Sequence, residues 1–369
     1  MTSIDSQTRR RATRSGLTAF DPARASLGYT LFAPLYGQGL VDLLDAEGRS
    51  VHQWHLPFQP GLYGHLLPNG NLFYGGQVQD DTPELFHLWN HFKGGVLLEV
   101  DPEGRVVWEH RDPRHHHDAR RTEQGGAIYL TVDRVPEAIA AKVQGGIPGS
   151  GPNGLWADVI VEVDAAGRRI WEWKAWEHLD PAIDLITAND PRDEWSHGNT
   201  LAILPGNRLL VSFRNISTVL ILEKSTGQIL WRLGHDVLAQ QHDPSLLDNG
   251  NVLVFDNGAN RKEVALPYSR VIEVDPATNA IVWEYHDQPL YNFFSPYISG
   301  ARRLPNGNTL ITEGNFGRIF QVTPEGDTVW EFINPHYHQS PDGSLTNAVF
   351  RAVHHLAGDI PWLPRVPKG

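Results

Sequence analysis

Short apolar runs separated by glycine turns organise most of the chain. Five times an apolar run leads into a turn containing glycine and a second apolar run leaves it: "LLPNGNLF", "TEQGGAIYL", "ILPGNRLL", "LLDNGNVLVF" and "RLPNGNTLI". This pattern predicts a β-hairpin. A third apolar run follows each hairpin ("GVLLEVD" in the first unit), and then a fourth that carries tryptophan. Each unit is therefore predicted to be four antiparallel strands, A to D in chain order.

The tryptophan run recurs six times, which indicates the architecture. Its tryptophans are Trp54, Trp108, Trp171, Trp231, Trp283 and Trp330, spaced between 47 and 63 residues apart. Four-stranded units that repeat at about this interval are typical of a β-propeller. We interpret the six tryptophans as residues that pack one blade against the next, not as a binding site.

The two ends of the chain supply a sixth, divided unit. Strands B, C and D ("GYTLFAP", "GLVDLLD", "SVHQW") come before the first complete unit, and a lone strand A ("NAVFRAVHHL") follows the last. Pairing them closes a ring and removes exposed sheet edges. The prediction is an all-β, six-bladed propeller over residues 26–369, preceded by a flexible arm over residues 1–25. Two stacked β-sandwiches would explain the short strands but neither the six tryptophans nor the divided unit.

The composition of the chain excludes several classes of binding partner and site. The net charge of −12 argues against a general nucleic-acid or anionic-membrane partner, because phosphate binding needs clustered lysine and arginine. The chain has no cysteine, which excludes disulfides and thiolate metal sites. No apolar leader or membrane-spanning segment is visible, so we expect a cytoplasmic protein acting on a small molecule. The oligomeric state cannot be deduced from the sequence.

Histidines recur at one position of consecutive units. His117 and His242 lie eight residues before the turn glycine of their unit, and His197 lies nine residues before its own. This is the start of strand A, which is innermost in a propeller. Three imidazoles in a shared register predict a cluster at the mouth of the channel. The long B–C and D–A loops, where function usually resides, lie at the same rim.

Arginine and amide residues are expected at this rim as well. Strand B ends there, which brings Arg214 ("SFRN") and Asn257 ("FDNG") close to the imidazoles. Beside three histidines, Arg214 is interpreted as an anion clamp. In "RHHHD", strand alternation predicts that only His117 faces the channel, with Asp118 behind it, while His115 and His116 are loop residues.

These motifs together resemble the arylsulfotransferase family of β-propeller enzymes. The resemblance runs from about Gly28 to Leu363 and includes "EWSHGNT", "SFRN", "QHDPSLLDNGNVLVFDNG" and "YISGARRLPNGNTLITEGNFGRIF". It implies transfer of a sulfuryl group between phenols through a sulfohistidine, with no cofactor. The absence of cysteine and of a leader indicates a divergent cytoplasmic branch.

The resemblance also implies roles for individual residues. His242 of "QHDP" would be the nucleophile. His197 and Asn199 of "SHGN", with Arg214 and His117, would surround the sulfuryl group of an aryl sulfate or another small anion.

Two alternatives remain open at this point. The first is a metal-dependent lyase or hydrolase in which His117, His197, His242 and His355 hold one divalent transition-metal ion, since imidazole suits such ions. The second is a non-catalytic propeller that binds a partner.

Overall fold

The computed structural model describes residues 13–79, 84–151, 154–340 and 342–363, and these form six four-stranded antiparallel blades in a ring. The predicted six-bladed propeller is confirmed. Each strand A contacts the A strands of the two neighbouring blades, so the A strands line the axis.

The blade strands follow, from the innermost A to the outermost D. They are Gln59–Leu66, Leu72–Gln77, Gly95–Val100 and Val106–Arg111 in blade 1; His115–Arg121, Ala127–Arg134, Trp156–Val163 and Arg169–Lys174 in blade 2; Gly198–Leu204, Arg208–Phe213, Thr218–Glu223 and Ile229–Leu233 in blade 3; His242–Leu246, Val252–Asp256, Arg270–Asp275 and Ala280–Tyr285 in blade 4; Gly300–Arg303, Thr309–Glu313, Arg318–Val322 and Thr328–Ile333 in blade 5; and Val349–His355, Tyr29–Pro34, Leu40–Leu44 and Ser50–His55 in blade 6.

The loops contain a few short elements. These are the α-helices Trp89–Phe92 and Glu137–Ala140, the 3-10 helices Ala175–Glu177, Leu290–Asn292 and Gly314–Phe316, and the hairpin His338–Gln339 with Leu345–Thr346. Among the described residues no helix is both long and apolar enough to span a membrane.

The ring closes as predicted. Val349–His355 pairs antiparallel with Tyr29–Pro34, and Tyr29 lies opposite His355. The predicted N-terminal arm differs in part from the structure. Gly16–Phe20 is a fifth strand on the outer edge of blade 5, paired with Thr328–Ile333. Residues 1–12 of that arm, and residues 364–369, lie outside the described residues.

Six tryptophans fasten each blade to the next. Each indole Nε1–H donates a hydrogen bond to an acceptor in the C–D turn of the following blade, at 2.8 to 3.2 Å. The donors, in ring order, are Trp54, Trp108, Trp173, Trp231, Trp283 and Trp330. Five of them were expected. In blade 2 the donor is Trp173, two residues further along the strand than the predicted Trp171.

Buried charges fill the middle of the channel. Arg351 of blade 6 lies between two carboxylates, with its Nη1 3.2 Å from Asp118 Oδ2 and 2.9 Å from Asp243 Oδ1. Asp118 also accepts hydrogen bonds from Tyr63 Oη at 2.7 Å and from the Leu201 backbone N–H at 3.0 Å. The Leu201 bond joins blade 2 to blade 3. Asp118, Asp243 and Arg351 therefore connect A strands of different blades across the channel. Asp118 bonds to neighbouring blades and, contrary to the prediction, does not lie behind His117.

We expect the indole bonds to contribute to stability according to their burial. Trp330 is 2% exposed, and Trp330→Phe removes its bond to the Ala46 carbonyl and leaves that oxygen unpaired. The free energy of unfolding should fall by about 2 kcal/mol. The half-buried Trp283, which bonds the Pro324 carbonyl, is the control, and Trp283→Phe should cost under about 1 kcal/mol. Urea denaturation followed by circular dichroism measures both, and equal losses would contradict the prediction.

Asp118 should make stability depend on acid pH. Burial alone would raise its pKa, but Arg120, Arg351 and its hydrogen bonds lower it to about 2. Because the folded pKa lies below the unfolded value of about 3.9, the stabilisation is complete above about pH 4. It is lost as the pH falls through about 2, and amounts to about 2 to 3 kcal/mol.

The difference in unfolding free energy between wild type and Asp118→Asn should therefore shrink in that window. Asp248→Asn, in an exposed turn, is the control and should leave the pH dependence unchanged. A constant difference between wild type and Asp118→Asn from neutral pH to about pH 2 would show that Asp118 is not the responsible group.

Candidate active site

Bulges at the start of the A strands build the site. In blade 2 the pairing shifts between Tyr129 and Leu130, opposite the bulged His117 and Asp118. His117 and His197 both have left-handed backbone, with φ of 50° and 55°. Such a residue is uncommon outside glycine and breaks the alternation of a strand. It turns the imidazoles of successive blades toward one point.

The structure brings together the three histidines that the register predicted. The rings of His117 and His197 are 4.8 Å apart between centroids. The ring centroid of Phe350, in the closing strand, lies 6.1 Å from that of His117 and 6.1 Å from that of His242. Phe92 covers the cluster from the long B–C loop of blade 1, at 4.7 Å from His117 and 4.6 Å from His197.

The proton of His242 is placed by its neighbour Asn257. The Asn257 amide nitrogen donates to the carbonyls of Ser295 at 2.8 Å and Ile298 at 2.9 Å, so its Oδ1 must be the atom that faces His242. That oxygen accepts from His242 Nδ1 at 2.8 Å. The ring therefore carries its proton on Nδ1, and Nε2, which has no hydrogen bond to the described residues, keeps its lone pair.

The surroundings keep His242 neutral. The side chain is 2% exposed, and burial lowers its pKa well below the ordinary value. The Asn257 bond opposes this shift, while the charges of Arg214, His197 and Arg351 add to it. A neutral imidazole with a bare Nε2 is a competent nucleophile.

His197 is oriented by a carboxylate from its own loop. Its Nδ1 lies 2.5 Å from Oε2 of the buried Glu194, so Nδ1 carries a proton and Nε2 faces the cluster. Glu194 can balance a positive charge on this ring. Glu194 lies three residues before His197 in "EWSHGNT", and that short spacing was the only sequence signal for it.

The prediction that His115 and His116 are loop residues is wrong. Both lie in strand A of blade 2, and their side chains are buried, at 1% and 0% exposed. His115 packs against Tyr129 and makes no contact with His117. His116 does, because its Nδ1 is 2.8 Å from His117 Nδ1. Its Nε2 lies 3.2 Å from Asp158 Oδ1, although the N–H does not point directly at that oxygen. The bulge explains the error, since strict alternation would have separated the two rings.

Arg214 and Asn199 occupy different positions in the site. The Arg214 side chain is 19% exposed, and its Nη1 is held by Asp190 Oδ1 at 3.0 Å and Asn215 Oδ1 at 3.0 Å. Asn199 is fully buried, and its amide donates to the Gln241 carbonyl at 2.8 Å. Asn199 thus positions the residue before His242.

Sequence reasoning missed Asp158, Asp190, Phe92 and Arg351. Asp158 lies in an ordinary apolar strand, "ADVIVEVD", and Phe92 in a loop without a motif. Arg351 belongs to the last strand of the chain, more than 100 residues from His242. None of them lies in a motif or at a spacing that assigns it from the sequence.

The four residues of the metal alternative do not all come together. His355 is at the far end of the closing strand, and the charge of His355 acts on His65 there. Among the described residues, no group of three or more histidine, aspartate or glutamate side chains is placed to hold a metal ion.

A separate cavity of about 670 Å³ opens beside blades 2 to 4. It is lined by loop residues that include Ile186, Leu238, Arg261 and Tyr268, and by none of the three histidines. That cavity also contains His235 with Arg261 and Arg270. The imidazole cluster is the better candidate because it brings three histidines from the A strands of successive blades together beside Arg351.

Comparisons with known proteins identify the family of the chain. The family model for arylsulfotransferase (ASST) matches residues 65–340. Arylsulfate sulfotransferase AssT of Escherichia coli O6:H1 (strain CFT073) is 26% identical over 324 residues, which cover 79% of this chain and 51% of that protein. AssT of Lelliottia amnigena is 23% identical over 391 residues, which cover 84% and 62%. The chain thus spans between half and two thirds of these curated relatives.

A solved structure supports the fold alone. A protein of unknown function from Bacteroides caccae aligns over 89% of this chain and 98% of its own, with a TM-score of 0.54 and 13% identity. The family match shows more than the fold, because the family model matches about three quarters of the sequence. The chain belongs to the arylsulfotransferase family.

Proposed function

We propose that the chain transfers a sulfuryl group from an aryl sulfate to a phenol through a covalent intermediate on His242. The observation that carries the proposal is the bare Nε2 of a buried His242 whose Nδ1 proton is held by Asn257, in a site where the positive charge of Arg214 acts on that ring. The family match and the AssT relatives support the reaction class.

The first half-reaction forms the intermediate. The lone pair of His242 Nε2 forms a bond to sulfur while the sulfur–oxygen bond to the donor breaks, and the electron pair leaves with the phenolate. The Nδ1–H bond to Asn257 stabilises the N-sulfo imidazolium. Arg214 and a protonated His197 backed by Glu194 would stabilise the charge on the sulfuryl oxygens.

The second half-reaction is the reverse with a different phenol. The acceptor loses its proton to a neighbouring imidazole, its oxygen bonds to sulfur, and the sulfur–nitrogen bond breaks. In the first step the same imidazole, in its protonated form, protonates the departing phenolate, and the proton taken from the acceptor restores that form. The site requires no cofactor for this chemistry.

Trapping the intermediate tests the proposal. Protein mixed with p-nitrophenyl sulfate without an acceptor should gain the mass of one SO₃ group and release one equivalent of p-nitrophenol. Peptide mapping under alkaline conditions should place the group on His242. His242→Asn, which keeps a polar side chain of similar reach, should abolish the adduct and reduce turnover by about 10³-fold or more.

Metal analysis of protein without a histidine tag separates the alternatives. A stoichiometric transition metal that His197→Ala removes would overturn the sulfohistidine mechanism in favour of a metal-dependent enzyme. A binding propeller would show neither adduct nor metal, and His242→Ala would leave partner binding intact.

Arg214 should matter through its charge. Arg214→Gln is expected to lower kcat/KM for aryl sulfates by about 10²- to 10³-fold, because it removes a donor to the sulfuryl oxygens. Arg214→Lys should recover part of the loss, because it keeps the charge but not the planar fork. Arg208→Gln, in the same blade at the opposite rim, is the control and should have wild-type activity. If Arg214→Gln has wild-type kcat/KM, Arg214 does not bind the sulfuryl group.

A further inference from the structure

Two adjacent imidazoles share one proton behind the site. His116 Nδ1 and His117 Nδ1 face each other at 2.8 Å, a distance that requires one nitrogen to donate and the other to accept. Two protonated or two bare nitrogens would repel each other. The two Nδ1 atoms therefore share a single proton. Which of the two nitrogens carries it depends on the group that contacts the other nitrogen of His116.

Asp158 determines which of the two imidazoles carries the shared proton. Burial alone would raise the pKa of this carboxyl, but the adjacent His116 ring and hydrogen bonds from Ser196 and from the Gly198 backbone N–H lower it, so the group is an anion. Its Oδ1 lies 3.2 Å from His116 Nε2 and favours a proton there. The neutral His116 then has a bare Nδ1, and the shared proton belongs to His117 Nδ1. His117 consequently presents a bare Nε2 to the cluster, as His242 does.

Asp158 is held rigidly for this task. The Gly198 backbone N–H donates to both of its oxygens, at 2.9 and 2.8 Å, and a Cβ at Gly198 would overlap the carboxylate. Gly198 adjoins His197, so one carboxylate ties the strand of His116 to the loop of the next histidine. Trp89 and Phe92 shield His116 from water, with ring centroids at 6.0 and 6.1 Å.

We propose that Asp158 and His116 form a buried relay that takes the positive charge away from His117 when His117 accepts a phenol proton. The proposal rests on the sulfuryl transfer proposed above and names His117 as the acid–base imidazole of that reaction. His116 and Asp158 are positioning residues, because neither touches the substrate.

The proton steps balance. The phenol O–H bond breaks and His117 Nε2–H forms, while the Nδ1 proton of His117 moves to His116 Nδ1. His117 is neutral again, and the charge lies on His116 against Asp158. A charge left on His117 would instead lie close to Arg351, His197 and His242, all of which disfavour it. In the first half-reaction the sequence runs backwards from the charged pair, in which both nitrogens of His116 are protonated against Asp158 and His117 carries its proton on Nε2. The free enzyme reaches this form by taking up one proton from solvent, and protonation of the departing phenolate returns the pair to its neutral form.

Substitution of His116 separates orientation from proton transfer. His116→Asn places an amide oxygen near the position of Nδ1, so His117 Nδ1–H keeps an acceptor that cannot take the proton. The readout is the single-turnover burst of phenol release from two donors, in which no acceptor takes part. p-Nitrophenolate leaves without a proton, whereas the more basic phenolate of phenyl sulfate needs one.

With phenyl sulfate, His116→Asn should slow the burst by about 10²-fold, and with p-nitrophenyl sulfate by less than about 3-fold. Asp158→Asn should show the same donor dependence. His115→Asn is the matched control, since His115 is buried in the same strand but does not contact His117, and it should affect both donors equally. Equal slowing of both donors in His116→Asn would overturn the relay.

Nitrogen-15 NMR of histidine-labelled protein gives a readout that does not need activity. At alkaline pH, where the pair is neutral, wild type and His116→Asn should both show His117 protonated at Nδ1. A wild-type His117 protonated at Nε2 under these conditions would overturn the relay whether or not the protein transfers sulfuryl groups. Absence of a burst from wild type with either donor would overturn the proposed function, and the NMR result would still decide the state of the histidine pair.

Discussion

The antiparallel pairing of Val349–His355 with Tyr29–Pro34 is the interaction on which the rest of the structure depends. It turns a row of sheets into a ring in which every strand A is covered on both sides. It also brings two side chains from the end of the chain to the axis. Phe350 packs against His117 and His242, and Arg351 bonds the aspartates that hold blades 2 and 4. The strand that closes the ring therefore also supplies side chains to the site.

The site combines strain with compensating bonds. Left-handed backbone at His117, His197 and Asp243 is unfavourable by about 1 to 3 kcal/mol per residue. It persists because hydrogen bonds between neighbouring A strands hold the bulges in place. Asp118 accepts from the Leu201 N–H, and the Asp243 N–H donates to Thr200 Oγ1. Rigid bulges of this kind hold imidazoles in fixed positions without the mobility of loops.

Charge is arranged in layers along the channel. The imidazoles at the mouth are desolvated, and the guanidinium of Arg351 beneath them disfavours a positive charge on His117 and His242. Glu194 lies behind His197, Asp158 lies behind His116, and Asp190 holds the guanidinium of Arg214. In the proposed reaction an anionic substrate would meet cations and neutral nucleophiles at the mouth. This argument concerns the residues of the site, because many unrelated functions share the propeller fold.

The sequence by itself determined the blades, their number, the divided sixth unit and the meeting of His117, His197 and His242. These follow from local signals, namely Asn-Gly turns, period-two apolar runs and a register counted from a turn. The tertiary structure decided what those signals do not contain. The bulge that joins His116 to His117 breaks the alternation from which their separation was predicted. Trp173, and not the Trp171 of the repeated phrase, donates to the turn of the next blade. Arg351 reaches Asp118 and Asp243 across blade boundaries, a contact that depends on ring closure and not on spacing along the chain. Asn257, Glu194 and Asp158 place protons through side-chain contacts whose geometry the sequence does not contain.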